Sequence, residues 1–94
     1  MSKLQIVVRV TARDIRASAP FSTRTPIALA LQRQLPYAEV ATCANAVAMT
    51  YSYRGIEGVF KLPRRAVAFL KAIDLGIWNL NNPFTFTLTV QASN

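Results

Sequence analysis

In "KLPRRAVAFLKAIDLG", residues 61–76, the side chains able to do chemistry sit at the wrong ends of a helix. A helix N-terminus carries a partial positive charge and its C-terminus a partial negative one, which favours acids first and bases last. Here Arg64 and Arg65 open the segment and Asp74 closes it. Beside the free N–H groups of a first turn, with Pro63 as the first helical residue, two guanidinium groups would hold a phosphate or carboxylate through the dipole and through bidentate hydrogen bonds. The same placement is also tolerable as strain alone, at about 0.3–1 kcal/mol per exposed charge. On a helical wheel Arg64, Ala68, Lys71 and Leu75 share the outward face, opposite the Phe69 stripe, so this charge is not used in the core. Asp74 is expected to accept from the backbone or to pair with an Arg on a neighbouring strand.

Two further stretches carry candidate contact residues. "YSYRG" sets Tyr51 and Tyr53 two apart on one face of a strand, with Arg54 beside them. Exposed, they would stack bases or anchor a protein contact. Buried, they are ordinary sheet packing. "RDIRASAPFSTR" gathers Arg13, Arg16 and Arg24 around Phe21 in a loop of the kind that orders on a partner. Trp78 follows the helix and is expected to cover its end at the edge of the core.

The equipment of an enzyme is missing. The chain has no histidine, the commonest general base and metal ligand. One cysteine and four scattered acids supply no zinc set, and the three glycines form no phosphate loop or dinucleotide fingerprint. Neither metal nor cofactor is expected. Cys43 has no activating neighbour and reads as a small buried hydrophobe, and a single cysteine agrees with a reducing compartment.

Charge bounds the partners. Eleven bases against four acids give +7, and eight of the eleven are Arg, which favours planar, bidentate contact with phosphate or carboxylate. A field of that sign draws nucleic acid or acidic protein at long range, and also serves to keep an apolar chain soluble. With 52% hydrophobic and 16% charged residues the chain is expected to fold. No apolar run approaches the ~18 residues of a membrane span, and Arg9 and Arg13 interrupt the N-terminal stretch where a signal peptide would lie. A soluble cytoplasmic protein with no membrane partner is the expectation.

Patterning supplies the elements that position these side chains. "KLQIVVRVT" alternates, with Leu4, Ile6, Val8 and Val10 inward. "TARD" reads as a capping-box variant opening a short turn of helix through Arg16. Thr25 and Pro26 start a helix that carries Ile27, Ala28, Leu31 and Leu35 inward and ends at Pro36. "AEVATC" and "AVAMTYSY" are strands about a tight turn at Ala44 and Asn45, "YRGIEG" turns again, and "VFKL" is a further strand. Ala66, Phe69, Leu70 and Ile73 form the stripe of the second helix, closed by Gly76 in a left-handed conformation. "FTFTLTV" alternates with Phe84, Phe86, Leu88 and Val90 inward. The order β-α-β-β-β-α-β predicts one α+β domain over residues 1–94, two helices on one face of a mostly antiparallel sheet.

"TPIALALQRQLP", "FKLPRRAVAFLKAIDLG" and "PFTFTL" together resemble a group of short phage and prophage proteins. Pro26, Ile27, Ala28, Leu62, Pro63, Phe69, Asp74, Gly76, Pro83, Phe84 and Phe86 carry the likeness. These are fold-forming positions and imply a setting, not a mechanism. The resulting expectation is a non-enzymatic binding protein that occupies or bridges the surface of a host or phage macromolecule, in its concrete form an anti-CRISPR-like inhibitor. A protein ligand stands ahead of nucleic acid, the alternative being direct nucleic-acid binding through an Arg-rich face with tyrosine stacking. The contact residues are Arg64, Arg65, Lys71, Arg13, Arg16, Arg24, Tyr51, Tyr53 and Arg54.

Overall fold

The computed structural model describes residues 2–19, 22–43 and 45–93. Strand β1 (Ser2–Val10) leads into helices α1 (Ala12–Ala17) and α2 (Pro26–Gln34). Strands β2 (Glu39–Cys43), β3 (Ala46–Tyr51) and β4 (Ile56–Lys61) follow, then helix α3 (Arg64–Asp74) and strand β5 (Phe84–Ala92). The fold is α+β, with the short turn after Thr11 making a third helix. The strands form one antiparallel sheet in the order β1-β5-β4-β3-β2.

Period-two alternation decides which face of the sheet is covered. In β5 the even-numbered residues are all buried while Thr85, Thr87, Thr89 and Gln91 face solvent. Register locks β1 to this pattern, with Val8 opposite Phe86 and Val10 opposite Phe84. Slipping β1 by one residue would turn its whole apolar row outward, which disfavours that register. Val8, Phe84, Phe86 and Leu88 are buried, with Leu4 and Ile6 half-buried on the same inner face. Phe69 from α3 completes this core by stacking on Phe84, centroids 4.4 Å apart and planes 4° from parallel.

The helices begin where their caps dictate. Thr11 and Asp14 form a reciprocal capping box on α1, and Thr25 accepts from the Ala28 N–H at the start of α2. Pro63 is the N-cap of α3, not its first helical residue, because its ψ of 159° is extended. Arg64 and Arg65 therefore occupy the first two helical positions. At the other end Gly76, at φ 72°, closes α3 with bonds from Gly76 N–H to Ile73 O and from Ile77 N–H to Ala72 O, a Schellman motif.

Two boundaries differ from the sequence reading. β3 stops at Tyr51, and a 3-10 turn, Ser52–Arg54, is closed by Gly55 at φ 66°. With the reversal finished at Gly55, β4 starts at Ile56, so Ile56, Glu57 and Gly58 are strand where a turn is predicted. The β2–β3 pair closes at Cys43 opposite Ala46. Ala44 and the Cys43 side chain lie outside the described residues, and so do the expectations that rest on them.

β4 and β5 meet in register at one pair only, Ile56 with Ala92, so the sheet curls as two halves. Helix α2 spans the opening between its margins. At β1, Gln34 Nε2 donates to Val7 O at 2.7 Å and Gln34 Oε1 accepts from Arg9 N–H at 2.7 Å. Arg33 Nη2 donates to Arg9 O at 2.7 Å. At β2, Thr42 N–H donates to Thr23 O, Thr42 Oγ1 donates to Thr25 Oγ1, and Gln32 donates to Ala38 O. Exposed strand edges invite foreign pairing, and here side chains occupy the ladder positions instead.

Asp14 anchors this arrangement. Its buried carboxylate accepts from Arg33 Nε at 3.3 Å and Nη2 at 3.0 Å, and from the N–H and hydroxyl of Thr11. Burial alone would raise the Asp14 carboxyl, but the Arg33 guanidinium and the Thr11 donors outweigh it and hold it below its ordinary value of 3.8. A depressed folded value means the stabilisation is complete above the unfolded value and is lost as pH falls through the folded one. Thermal melts of Asp14→Asn should show a flatter acid limb below about pH 4 than the parent. They should also show a loss of about 1–3 kcal/mol at neutral pH. Parallel acid limbs for the two proteins would remove Asp14 as the acid-sensitive group.

Candidate functional site

The expected contact residues do not form one site. β4 and β1 finish at the same end of the sheet, where Arg65 lies over Phe84 and Phe84 pairs with Val10. Arg13 and Arg16 on α1, Arg24 before α2, Lys61, and Arg64 and Arg65 on α3 gather towards this basic end, all of them exposed. Tyr51, Tyr53 and Arg54 lie at the other end, where β3 turns into β4. Lys71 is exposed midway along α3.

The two arginines that open α3 have separate surroundings. Arg65 places its guanidinium 5.3 Å from the centroid of Phe84. It caps an aromatic cluster in which Trp78 meets Phe69 edge-on at 4.7 Å and Phe84 at 5.8 Å. Trp78 donates its indole N–H to Asn82 O and sits at the core edge as expected. With the guanidinium itself exposed, such a contact contributes about 0.5–1 kcal/mol, which offsets an unfavourable position against the helix dipole. Arg64 makes no such contact and stays exposed. Asp74 pairs with nothing among the described residues, contrary to expectation, since no Arg-bearing strand reaches the exposed end of α3.

A cleft of about 770 Å³ lies between α3 and the segment leading into α2. Val67, Leu70 and Ile73 form its apolar wall, and Ser18, Ser22, Thr23 and Thr25 face them with hydroxyls. Lys71 and Asp74 stand at its rim. Phe21 lies outside the described residues, so its expected place in the basic loop is not addressed.

The tyrosine end is the more unusual feature. Tyr51 and Tyr53 do not share a strand face, because the chain leaves β3 after Tyr51 and carries Tyr53 in the 3-10 turn. Their rings nevertheless meet, centroids 5.7 Å apart and tilted by 58°. A third ring joins them: Tyr37 lies 6.0 Å from Tyr53. Tyr53 is 71% exposed and Tyr37 83% exposed, with Tyr51 half-buried beneath. Arg54 is exposed beside them.

Tyr37 is held against its own backbone preference. Leu35–Pro36–Tyr37–Ala38 is a turn closed by Ala38 N–H to Leu35 O at 3.0 Å, with Pro36 in the second place and Tyr37 at φ 75°. That is the type II arrangement, whose third position favours glycine. A bulky side chain there costs roughly 1–2 kcal/mol. Tyr37 is the one non-glycine residue at positive φ among the described residues. Sequence patterning missed it, although "LPYA" carried a signal: proline followed by a large residue where a turn wants glycine.

The acids sharpen the contrast between the two ends. On the outer sheet face Glu39 pairs with Thr50, and Thr50 with Glu57, one row from Tyr51. Two of the four acids of the chain therefore stand at the tyrosine end of the sheet, on the face opposite Tyr51. No group of three acid, cysteine or histidine side chains among the described residues could hold a metal ion. No helix is long and apolar enough to cross a membrane. Comparison with family models, with curated proteins and with solved structures finds no match.

Three substitutions test these surroundings. Tyr37→Gly should raise stability by up to about 1 kcal/mol, because relief of the left-handed strain exceeds the loss of one exposed ring contact. Urea titration reads this directly, and a Tyr37→Gly protein that is less stable would mean that the ring contact outweighs the strain. Arg65→Ala should lose about 0.5–1 kcal/mol while Arg64→Ala is neutral or slightly stabilising.

Proposed function

We propose that this chain is a non-enzymatic binding protein that seats its tyrosine end, Tyr37, Tyr53 and Arg54, on the surface of a protein partner. The observation that carries the reading is Tyr37, kept exposed against Tyr53 at a backbone position where glycine would be more stable. Strain of that kind persists where the side chain has a use. Tyrosine and arginine are enriched among the residues that dominate binding energy at protein interfaces, and tyrosine brings large contact area with little entropy to lose. Glu39 and Glu57, on the outer sheet face at this end, favour a protein over nucleic acid here, because they repel a phosphate chain. The resemblance to phage and prophage proteins supports a host protein as the partner, and blocking a host defence machine as its concrete form.

The second reading is nucleic-acid binding at the basic end, supported by the exposed Arg13, Arg16, Arg24, Lys61 and Arg64 on the elements that meet there. Because the tyrosines stand at the opposite end, this form of binding is phosphate neutralisation without base stacking.

A host partner recovered with the tagged chain, re-measured with purified components, separates the two. On the protein reading Tyr53→Ala and Tyr37→Ala each weaken binding by about 2 kcal/mol or more, mainly through faster dissociation, and salt has a shallow effect. Arg64→Ala then leaves binding unchanged. On the nucleic-acid reading log affinity falls linearly with log salt, with a slope near −0.9 per phosphate neutralised, and the tyrosine variants are neutral. Binding that ignores both sets of residues would end both readings.

A further inference from the structure

The margin of the sheet at β1 is closed over half its length and open over the rest. Val7 O, Arg9 N–H and Arg9 O are all taken by side chains of α2, on the side away from β5. In an antiparallel strand a residue directs its N–H and C=O to the same side, and alternate residues share that side. Lys3 and Gln5 therefore also point their backbone groups outward. No hydrogen bond among the described residues reaches those four groups, and both side chains are exposed. On the opposite margin Thr42 of β2 is engaged by Thr23, and Ala38, just before the strand, by Gln32.

We propose that this open stretch of β1 pairs antiparallel with the same stretch of a second copy of the chain, giving a two-fold dimer with one continuous sheet. Pairing Lys3 of each copy with Gln5 of the other uses the N–H and C=O of both residues in four backbone hydrogen bonds. It also stops where Gln34 begins, so α2 sets the length and register of the contact. Leu4 then falls on the two-fold axis against Leu4 of the second copy, with Ile6 alongside. Both are half-buried residues of the inner face, and pairing takes their remaining surface out of water. No like charges oppose each other directly, because Lys3 faces an uncharged Gln5. The short ladder and the charge of +7 on each copy make the association weak and favoured by added salt, which screens the repulsion. It is a self-complementary case of strand addition at an open edge. The contact does not depend on the tyrosine end.

Sedimentation velocity on the full chain at moderate salt, up to about 1 mM, tests it. The expected result is a monomer–dimer equilibrium that tightens as salt is raised. Gln5→Pro removes an N–H that points out of the sheet, so the β1–β5 ladder and the circular dichroism spectrum are preserved while the dimer is lost. Gln5→Lys sets two cations across the pair and weakens the dimer by about two- to fivefold, whereas Gln5→Glu faces Lys3 and tightens it by a similar factor. Should Gln5→Pro fail to fold, the Lys and Glu variants decide alone. A parent that stays monomeric at the top concentration overturns the proposal. So does a dimer indifferent to the charge at position 5, or a folded Gln5→Pro that dimerises like the parent.

Discussion

Arg33 bridges three elements at once: its guanidinium holds the buried carboxylate of Asp14 on α1 and the carbonyl of Arg9 on β1, from a seat at the end of α2. Gln34 beside it imitates a strand by both donating to and accepting from β1. These contacts matter because the sheet does not hold its own curvature. β4 and β5 share one registered pair, so the two halves of the sheet would be free to open were α2 not fixed to both margins. A single hydrogen bond contributes about 1 kcal/mol net, and one to a charged group about 1.5–3 kcal/mol. The larger effect is the reverse one. Without Arg33 the Asp14 carboxylate would be buried with only Thr11 to hold it, and the cap of α1 would loosen with it.

Fixing α2 in this way divides the molecule. Towards the end where α3 begins, aromatic rings close the core: Phe69 on Phe84, Trp78 across both, and Arg65 over the outermost ring. The charge reversal at the start of α3 is thereby half explained, because one of its two arginines serves packing. At the far end the rings are not covered. Tyr51 is half-buried at the close of β3, Tyr53 leans on it, and Tyr37 leans on Tyr53 in the open. The same residue class seals one end and is presented at the other, and the difference lies in what α3 can reach.

The fold was legible because its signals are local or periodic. Alternation in "KLQIVVRVT" and "FTFTLTV", Thr25 with Pro26, and Gly76 after the α3 stripe each fix an element without reference to the rest. What could not be read depends on pairs brought together by the topology. Asp14 and Arg33 are 19 residues apart and Arg9 and Gln34 are 25 apart, and neither pairing has a periodic trace. The arrangement of the candidate residues depends on topology in the same way. Spacing alone placed Tyr51 and Tyr53 on one strand face, but Gly55 ended the turn early and moved Tyr53 off the strand. Tyr37 escaped notice because it joins the cluster from a different turn. The arginines were pooled by charge, a property of the whole chain, whereas position divides them between two ends.

That division changes what a net charge of +7 means for binding. A long-range field adds over the whole molecule, so an acidic partner is drawn in whichever end makes the final contact. The final contact is local, and there the balance differs: Glu39 and Glu57 stand at the tyrosine end, while bases outnumber acids at the basic end, where Asp14 is held by Arg33 and Asp74 stands at the cleft rim. On the proposed reading the arginines hasten encounter and the tyrosines hold the complex, so rate and lifetime are set by different residues. The strain at Tyr37 fits that division. Glycine would relieve it and leave the field untouched, but it would remove the ring that slows departure. A residue that lowers stability and contributes nothing to the core is retained most readily where complex lifetime, not folding, is what its side chain determines.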